Sequence, residues 1–325
     1  MRHAHPTRRH FNLALAAATI GAPAWAQQPG DKTVRFILPN ATGSGVDAIT
    51  RGAQAALAKA LGASVVVDNQ PGAGGVVGLQ ALARSAADGL TLSVVSNNVV
   101  ILPSVLKSVP FDMPGDFTPI AMLGSTPIVL VVNPKLPAKD HKEFVALLKS
   151  RPGQLNFASG GNGTILHLAS EMYLDETGTK ASHIPYKGVG PMVTDLIGGQ
   201  VDFGTVALPS VQQHLKAGTL RAIGVAAPTR LAAAPEIATF VEQGLPGYQV
   251  EAWFAVLGPK GLPAAEVRRI HAAVSAAFAD PEVKALMDKQ GNTINISPPE
   301  QAASLFRSER AKYAALVKKA GVEPT

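Results

Sequence analysis

A strand, a glycine-rich turn and a helix follow one another between residues 34 and 62, and they constrain the fold more than any other stretch. The apolar run Val34–Leu38 is typical of a strand, and Thr42–Gly45 is typical of a turn. A helix with apolar side chains at helical spacing is predicted from about Val46 until Gly62 ends it. Backbone N–H groups in the first turn of a helix have no partner inside the helix and add to a positive dipole potential. The stretch therefore predicts an anion site.

Almost the same succession recurs between residues 155 and 171. A strand leads into Ser159-Gly160-Gly161-Asn162-Gly163, and Thr164 is a good N-cap for the helix that follows. Ser44 in the first loop and Ser159, Asn162 and Thr164 in the second add neutral donors to the glycine N–H groups. Two such loops predict a cleft in which an anionic small molecule lies between two lobes.

The first 26 residues are predicted to be a cleaved export signal. Arg8 and Arg9 precede an apolar run, and Ala24-Trp25-Ala26 is typical of a cleavage site. The segment 7–13 fits the twin-arginine pattern, with a general secretory signal as the alternative. Either route places the mature chain in the periplasm.

Charge and cysteine content narrow the functional class. Removing the three arginines of the leader lowers the formal charge from +6 to +3, which is too mild to indicate nucleic-acid binding. Cysteine is absent, which excludes disulfides, thiol nucleophiles and a lipid-anchored cysteine. No apolar stretch beyond the leader is long enough to span a membrane. We expect a free, soluble, monomeric protein.

Apolar strands alternate with helices as far as about residue 250, which predicts an α/β fold with a sheet that is parallel at its centre. Ligands of such sheets bind beyond the carboxyl ends of the strands. Ser96 and Asn97, with Asn98, lie at one such end and are either ligand contacts or capping residues. Asp47 is likewise either a helix cap or a partner for the ligand. His167, which is off the apolar stripe of its helix, is either structural or part of the pocket.

Two apolar stretches are interpreted as crossings between lobes, one at residues 128–132 and one at residues 248–257. They divide the mature chain into lobe I, formed by residues 27–126 and 250–325, and lobe II, formed by residues 127–249. The strand ending near Tyr186 and Lys187 adds those two residues to the predicted ligand contacts.

Catalytic patterns are weak. Residues 43–48 fit G-x-G-x-x-A, and Asp68 follows at the distance typical of dinucleotide sites. The longer turn before Gly43 and the rarity of free NAD outside the cytoplasm argue against that interpretation, so no cofactor is predicted. The five histidines of the mature chain lack metal-like spacing. Ser159 and His167 leave an exported hydrolase as the alternative function, although no residue is placed to orient the histidine.

Several long segments, in order, resemble the periplasmic solute receptors of tripartite tricarboxylate transporters, the Bug family. The resemblance covers essentially the whole mature chain. It rests on the segments LPNATGSGVD, VVVDNQPGAGG, DGLTL, DFTPIAMLGSTPIVLVVNPKLPAK, PGQLNFASGGNGT, HIPYKGVGPMVTDLIGGQVDF, AGTLRAIGVAA and GLPGYQVEAWFAVLGPKGLP.

The resemblance implies a two-lobed, periplasmic-binding-protein-like fold in which two α/β domains are joined by two crossing strands and close on a small carboxylate. It implies a non-enzymatic receptor that delivers its ligand to a membrane permease, although some members serve signalling instead. It also implies that the two glycine loops together bind one carboxylate group of the ligand. The positions carried over to this sequence are Thr42, Gly43, Ser44 and Asp47 in the first loop and Ser159, Gly160, Asn162, Gly163 and Thr164 in the second.

The sequence departs from the family pattern at positions that bear on the ligand. Thr42 and Ser44 stand where the family usually has proline and glycine, which indicates a reshaped first loop. Val206-Ala207 stands where an acidic residue or asparagine is common. A less polar distal wall favours an aromatic or aliphatic monocarboxylate or dicarboxylate over citrate.

Overall fold

The computed structural model describes residues 32–319 together with residues 322 and 324, so the predicted export signal lies outside the described residues. Within them the chain is a mixed α/β structure built on one curled sheet. The strands are β1 (Thr33–Leu38), β2 (Ser64–Asn69), β3 (Thr91–Ser96), β4 (Phe117–Val132), β5 (Asn156–Ser159), β6 (Ser182–Pro185), β7 (Phe203–Ala207), β8 (Arg221–Val225), β9 (Glu251–Pro259) and β10 (Thr293–Ile294).

Helices follow most of the strands. They are α1 (Gly45–Leu61), α2 (Val76–Ala83), α3 (Asn98–Val105), α4 (His141–Ser150), α5 (Ile165–Thr177), α6 (Val189–Gly198), α7 (Leu208–Lys216), α8 (Ala264–Ala279), α9 (Pro281–Gln290) and α10 (Pro299–Lys319). A short 3-10 turn, Ala73–Gly75, precedes α2.

The sheet contains two parallel triplets that share one design. The first has the order β2-β1-β3 and the second the order β6-β5-β7. In each triplet the central strand comes first in the sequence and leads through a glycine-rich loop into a helix, α1 or α5. The two glycine loops therefore occupy equivalent positions, each at the carboxyl end of a central parallel strand.

Strands β4 and β9 lie between the triplets and run antiparallel to each other. β4 pairs with β9 along residues 117–127 and with β7 and β8 along residues 128–132. Just before β9 begins, Val250 N donates to Ala226 O at 3.2 Å. The prediction of a sheet that is parallel at its centre is wrong, because the two strands that connect the halves run in opposite directions and occupy the centre.

The helices next to the glycine loops begin and end at the predicted signals. Ser44 is the N-cap of α1, and its side chain accepts a hydrogen bond from Asp47 N. Gly62 ends α1 in the left-handed conformation, with φ of 61°. Thr164 caps α5 in the same manner by accepting from His167 N. The predicted start of α1 near Val46, its end at Gly62 and the Thr164 cap are confirmed, because each depends on residues within a few positions of one another. The Ser44 cap was not predicted.

The core forms two clusters that fix these helices against the sheet. The smaller cluster packs α1 against β1, β9 and α8, with Phe36, Ile49 and Phe278 buried in it. The larger cluster surrounds the second triplet and includes Phe144 and Phe203. Since both glycine loops are anchored by buried elements on either side, their positions follow from core packing.

Two strands differ from what their apolar runs indicate. The apolar run at residues 64–67 is typical of a buried parallel strand, but β2 is an edge strand and Val66 is 47% exposed. The apolar runs at residues 117–123 and 128–133 are separated in the sequence, but both belong to the single strand β4. An apolar run alone does not reveal whether a strand has neighbours on both sides.

Gly124 is the position in β4 where the fold depends most on the absence of a side chain. Its φ is 139°, and a Cβ atom there would lie 1.9 Å from Thr293 O of β10. We expect Gly124→Ala to lower the free energy of unfolding by about 3 kcal/mol or more, because strain at positive φ adds to a backbone overlap. Urea denaturation measures this change.

Gly153→Ala is the matched control. Gly153 also has a positive φ, 72°, but a Cβ atom there would have no neighbour within 4 Å. This variant should lose only about 1 kcal/mol from the backbone conformation. Equal losses in the two variants would show that the contact with β10 is not a constraint.

Candidate functional site

A cavity of about 670 Å³ lies where all six strands of the two parallel triplets end. Each of these strands contributes residues at or just beyond its carboxyl end, as expected for ligand sites of α/β sheets. The lining consists of Pro39, Asn40, Ala41, Ser44, Gly45, Val46, Pro71, Gly72, Ala73, Gly74, Gly75, Ser96, Asn98, Leu106, Thr126, Gly160, Gly161, Asn162, Thr164, Ile165, Leu166, Pro185, Tyr186, Lys187, Gly188, Val189, Ala207, Ala252 and Phe254.

The floor of the cavity is one face of the sheet where the two halves meet. Strand register places Ser96 opposite Phe254 and Thr126 opposite Ala252, on either side of β9. Phe254 and Ala252 are two residues apart, so their side chains project from the same face. Ala207 at the end of β7 also lines the cavity. The floor is therefore mainly apolar, with one hydroxyl side chain on each flank of β9.

The first glycine loop is held by hydrogen bonds behind the cavity. Asp47 Oδ2 accepts from Gly43 N at 3.0 Å, and Asp47 Oδ1 accepts from Arg51 Nε at 2.7 Å. The Ser44 hydroxyl accepts from Asp47 N at 3.3 Å. In the described part of the chain, Gly45 N and Val46 N have no hydrogen-bond partner, and both residues line the cavity. The loop therefore keeps two N–H donors available at the start of α1.

The second loop is built in a similar way. Thr164 Oγ1 donates to Gly161 O at 2.9 Å, and Gly161 N donates to Ser159 Oγ at 3.2 Å. Gly163 N donates to His167 Nδ1 at 3.1 Å. Ser159 and His167 thus support the loop from the protein side. Leu166 N, in the first turn of α5, has no partner among the described residues and its residue lines the cavity.

Several contacts join the two halves around the cavity. Asn98 Oδ1 accepts from Ile165 N at 2.7 Å, so a residue of α3 occupies the first N–H of α5. Ser210 Oγ donates to Gly43 O at 2.9 Å. Gly188, with φ of 118°, approaches the first loop so closely that a Cβ atom would lie 2.5 Å from Ala41 Cβ. The halves therefore meet along both glycine loops.

The electrostatic character of the cavity favours an anion. The described residues that line it include no aspartate or glutamate, and Lys187, an exposed residue, carries their only formal charge. Four helices, α1, α3, α5 and α6, begin at the cavity. The N-terminus of each helix contributes a positive potential equivalent to roughly half an elementary charge.

The structure divides the predicted site residues into two groups. Those that line the cavity are Ser44, Ser96, Gly160, Asn162, Thr164, Tyr186 and Lys187. Those that do not are Thr42, Gly43, Asp47, Asn97, Ser159, Gly163 and His167. Most residues of the second group form hydrogen bonds within the loops and do not face the cavity.

Asn97 and Tyr186 show why neighbouring residues differ in role. The Asn97 amide is fully buried and donates to Tyr313 Oη at 2.7 Å and to Glu251 O at 3.1 Å, so it ties α3 to α10. Tyr186 lines the cavity, but its hydroxyl donates to Asp195 Oδ2 at 2.7 Å. Burial and the adjacent Asp195 carboxylate raise the pKa of Tyr186 to about 12.

Asn98, predicted as either a ligand contact or a capping residue, lines the cavity. Lining features that were not predicted as ligand contacts include the Pro71–Gly75 loop, Thr126 and Phe254. The Pro71–Gly75 loop had a usable signal, because a cluster of glycines directly after a parallel strand marks close backbone approach. The sequence contains no such signal for Thr126 and Phe254. Each lies within a strand, and it comes to line the cavity only because strands that are distant in the sequence pair with each other.

The predicted pairing of Ser159 with His167 is wrong. Ser159 Oγ lies 2.6 Å from His183 Nε2 instead. The His183 ring stacks on Phe157, at 4.8 Å between centroids, and on His167, at 3.8 Å. Burial, and secondarily the neighbouring His167, lower the pKa of His183 to about 3. His183 is therefore a neutral structural ring behind the second loop at physiological pH.

Neither a metal site nor a membrane span is found in the residues that the structure describes. No group of three or more His, Cys, Asp or Glu side chains is arranged to hold a metal ion there. None of the helices observed in this region has the length and apolar character required to cross a bilayer.

Comparison with known proteins identifies a family. Residues 49–322 match the model of the "Tripartite tricarboxylate transporter family receptor". The chain is 34% identical to Protein BugT of Bordetella pertussis over 315 residues. The aligned region covers 96% of this chain and 97% of BugT.

Solved structures support the same relationship. The periplasmic binding protein BugD is 29% identical with a TM-score of 0.86, covering 90% of this chain and 99% of BugD. The R. palustris protein Rpa4515, solved with adipate, is 27% identical with a TM-score of 0.87, covering 90% of this chain and 98% of that one. The predicted α/β fold of the periplasmic-binding-protein type is confirmed.

The half-buried His183 ring next to the second loop makes stability depend on pH. Since the pKa of His183 is about 3 in the fold and 6.5 in its absence, the unfolded chain binds more protons between these values. Stability is therefore full above about pH 6.5 and falls as the pH decreases towards 3. We expect a lower thermal midpoint at pH 5 than at pH 7.5, measured by calorimetry.

The histidine responsible can be identified by substitution. His183→Gln should reduce the difference between the two midpoints, because glutamine does not titrate. His214→Gln serves as a control, since His214 lies in the last turn of α7, away from the stack. An unchanged pH difference in His183→Gln would exclude His183 as its source.

Proposed function

The chain belongs to the tripartite tricarboxylate transporter receptor family, and we propose that it captures a small organic carboxylate between its two glycine loops. The family and the relatives described above are binding receptors and not enzymes. That relationship removes the hydrolase alternative, for which the Ser159–His167 pairing was the basis.

One observation carries the proposal. The helices α1 and α5 begin at the same cavity, and their first turns leave Gly45 N, Val46 N and Leu166 N without partners in the described chain. Backbone donors at helix N-termini stabilise a carboxylate by hydrogen bonds and by the dipole together. The lack of acidic side chains among the described lining residues removes the main source of repulsion.

We assign the capture motion to two lobes, with residues 27–126 and 250–325 in lobe I and residues 127–249 in lobe II. β4 pairs with β9 as far as Pro127 and with β7 from Ile128 onward, which supports this division. β9 begins opposite Pro127, so both connecting strands cross at the same place. The hydrogen bonds Asn98–Ile165 and Ser210–Gly43 are then contacts of the closed arrangement. Bending of β4 and β9 would open the cleft.

We place the protein in the periplasm as a monomer that delivers its ligand to the permease subunits of a tripartite tricarboxylate transporter. The predicted export signal at residues 1–26 and the similarity to the periplasmic binding protein BugD support this location. The ligand of Rpa4515, adipate, supports a small carboxylate as the class of ligand.

A comparison of acids with their amides tests the proposed anion site. The chain from Gln27 onward would be titrated by calorimetry with adipate, glutamate, benzoate and citrate, and with adipamide and benzamide as neutral counterparts. We expect at least one acid to bind about 30-fold or more tightly than its amide, because hydrogen bonds to a charged acceptor are stronger. Binding of no acid, or equal binding of acid and amide, would contradict the proposal.

Substitution of Asn98 tests the cavity itself. Asn98→Asp retains an oxygen that accepts from Ile165 N but adds a negative charge to the cavity wall. We expect about a tenfold or greater loss of carboxylate affinity from charge repulsion. Gln154→Glu adds the same charge at an exposed position outside the lining and should bind as the wild type does. Equal behaviour of the two variants would place the ligand elsewhere.

A further inference from the structure

We propose that the cavity floor binds a second oxygen-bearing group of the ligand, so that this receptor selects acids with an oxygen function at each end. The inference rests on the proposed carboxylate-binding function and adds a second point of recognition to it. The residues assigned to this role are Thr126 and Ser96.

Thr126 carries a buried hydroxyl that lacks a hydrogen-bond partner in the described part of the protein. Its side chain is fully buried, and the residue lines the cavity. Leaving a buried hydroxyl unpaired destabilises the fold, whereas valine would have almost the same shape without that cost. Rotation about χ1 between staggered positions reorients Oγ1 without moving the backbone. A ligand oxygen in the cavity would give this hydroxyl its partner.

Ser96 provides a second hydroxyl on the other side of β9. It is 5% exposed, lines the cavity, and its Oγ makes no hydrogen bond with the described residues. Ser96 is the last residue of β3, directly before the turn into α3, so the dipole of that helix also favours electron-rich groups nearby. The two hydroxyls belong to the same face of the sheet, because Ser96 is opposite Phe254 and Thr126 is opposite Ala252.

The surface between the two hydroxyls suits a hydrocarbon segment. Phe254 and Ala252 separate Ser96 from Thr126, and Ala207 extends the apolar floor. A ligand would place one carboxylate at the N-termini of α1 and α5, its carbon skeleton along this surface, and a second oxygen at the hydroxyls. A hydroxyl donor pairs equally with a carboxylate, a carbonyl or an alcohol oxygen, so the shared chemistry is an oxygen acceptor.

The experiment compares acids that differ only at the far end. Affinities would be measured for hexanoate, 6-hydroxyhexanoate and adipate, for the four- and eight-carbon equivalents, and for benzoate, 4-hydroxybenzoate and terephthalate. In the wild-type protein we expect the two bifunctional acids of at least one series to bind about tenfold more tightly than the monofunctional acid.

Two variants assign the effect to the floor. Thr126→Val and Ser96→Ala should each reduce affinity for the bifunctional acids by about fivefold to tenfold and change affinity for the monofunctional acid by less than twofold. Thr118→Val is the control, because Thr118 is on the same strand and donates to Pro259 O but does not line the cavity. It should leave the preference for bifunctional acids unchanged.

The outcomes separate this inference from the proposed function. If carboxylates bind but every series favours the monofunctional acid or shows no preference, the floor site is wrong and the receptor function stands. A loss in Thr126→Val and Ser96→Ala that is equal for all acids in a series also overturns it, because it indicates general packing. If no carboxylate of any series binds, the proposed function fails and the floor site with it.

Discussion

The antiparallel pairing of β4 with β9 is the interaction on which the rest of the structure depends. Both strands lie at the centre of the sheet, and β4 exchanges β9 for β7 and β8 after Pro127. Each parallel triplet is attached to this central pair, the first through β3 and the second through β7. Because the attachment is by backbone hydrogen bonds, it fixes the direction of every strand in both triplets. The carboxyl ends of both triplets are thereby brought to one cavity.

The similar design of the triplets explains how two unrelated segments come to face each other. In each, the central strand is the first in sequence and is followed by a glycine loop and a capped helix. The first turns of α1 and α5 then converge without any repeat in sequence. Their supports differ in chemistry, since Asp47 holds the first loop and the His167 ring holds the second.

Local features of the structure could be predicted from the sequence and non-local ones could not. The caps Ser44 and Thr164 are encoded within a few residues, so the loops and helices were predictable. Ser159 and His183 are 24 positions apart and meet only because β5 and β6 pair in parallel. Asn97 and Asn98 are adjacent at the start of α3, but their side chains contact different elements, which a run of polar residues in the sequence does not reveal.

The hydrogen bond between Asn98 and Ile165 is made entirely by the protein, and this affects how a receptor of this kind discriminates between ligands. Part of the free energy that holds the halves together is then common to every ligand. Under the proposed closure of two lobes, this bond populates the closed arrangement in advance and raises the apparent affinity for all ligands by the same factor. Selectivity must then arise from atoms that touch the ligand, and under the same proposal the release of any ligand requires breaking a bond that the ligand itself did not form.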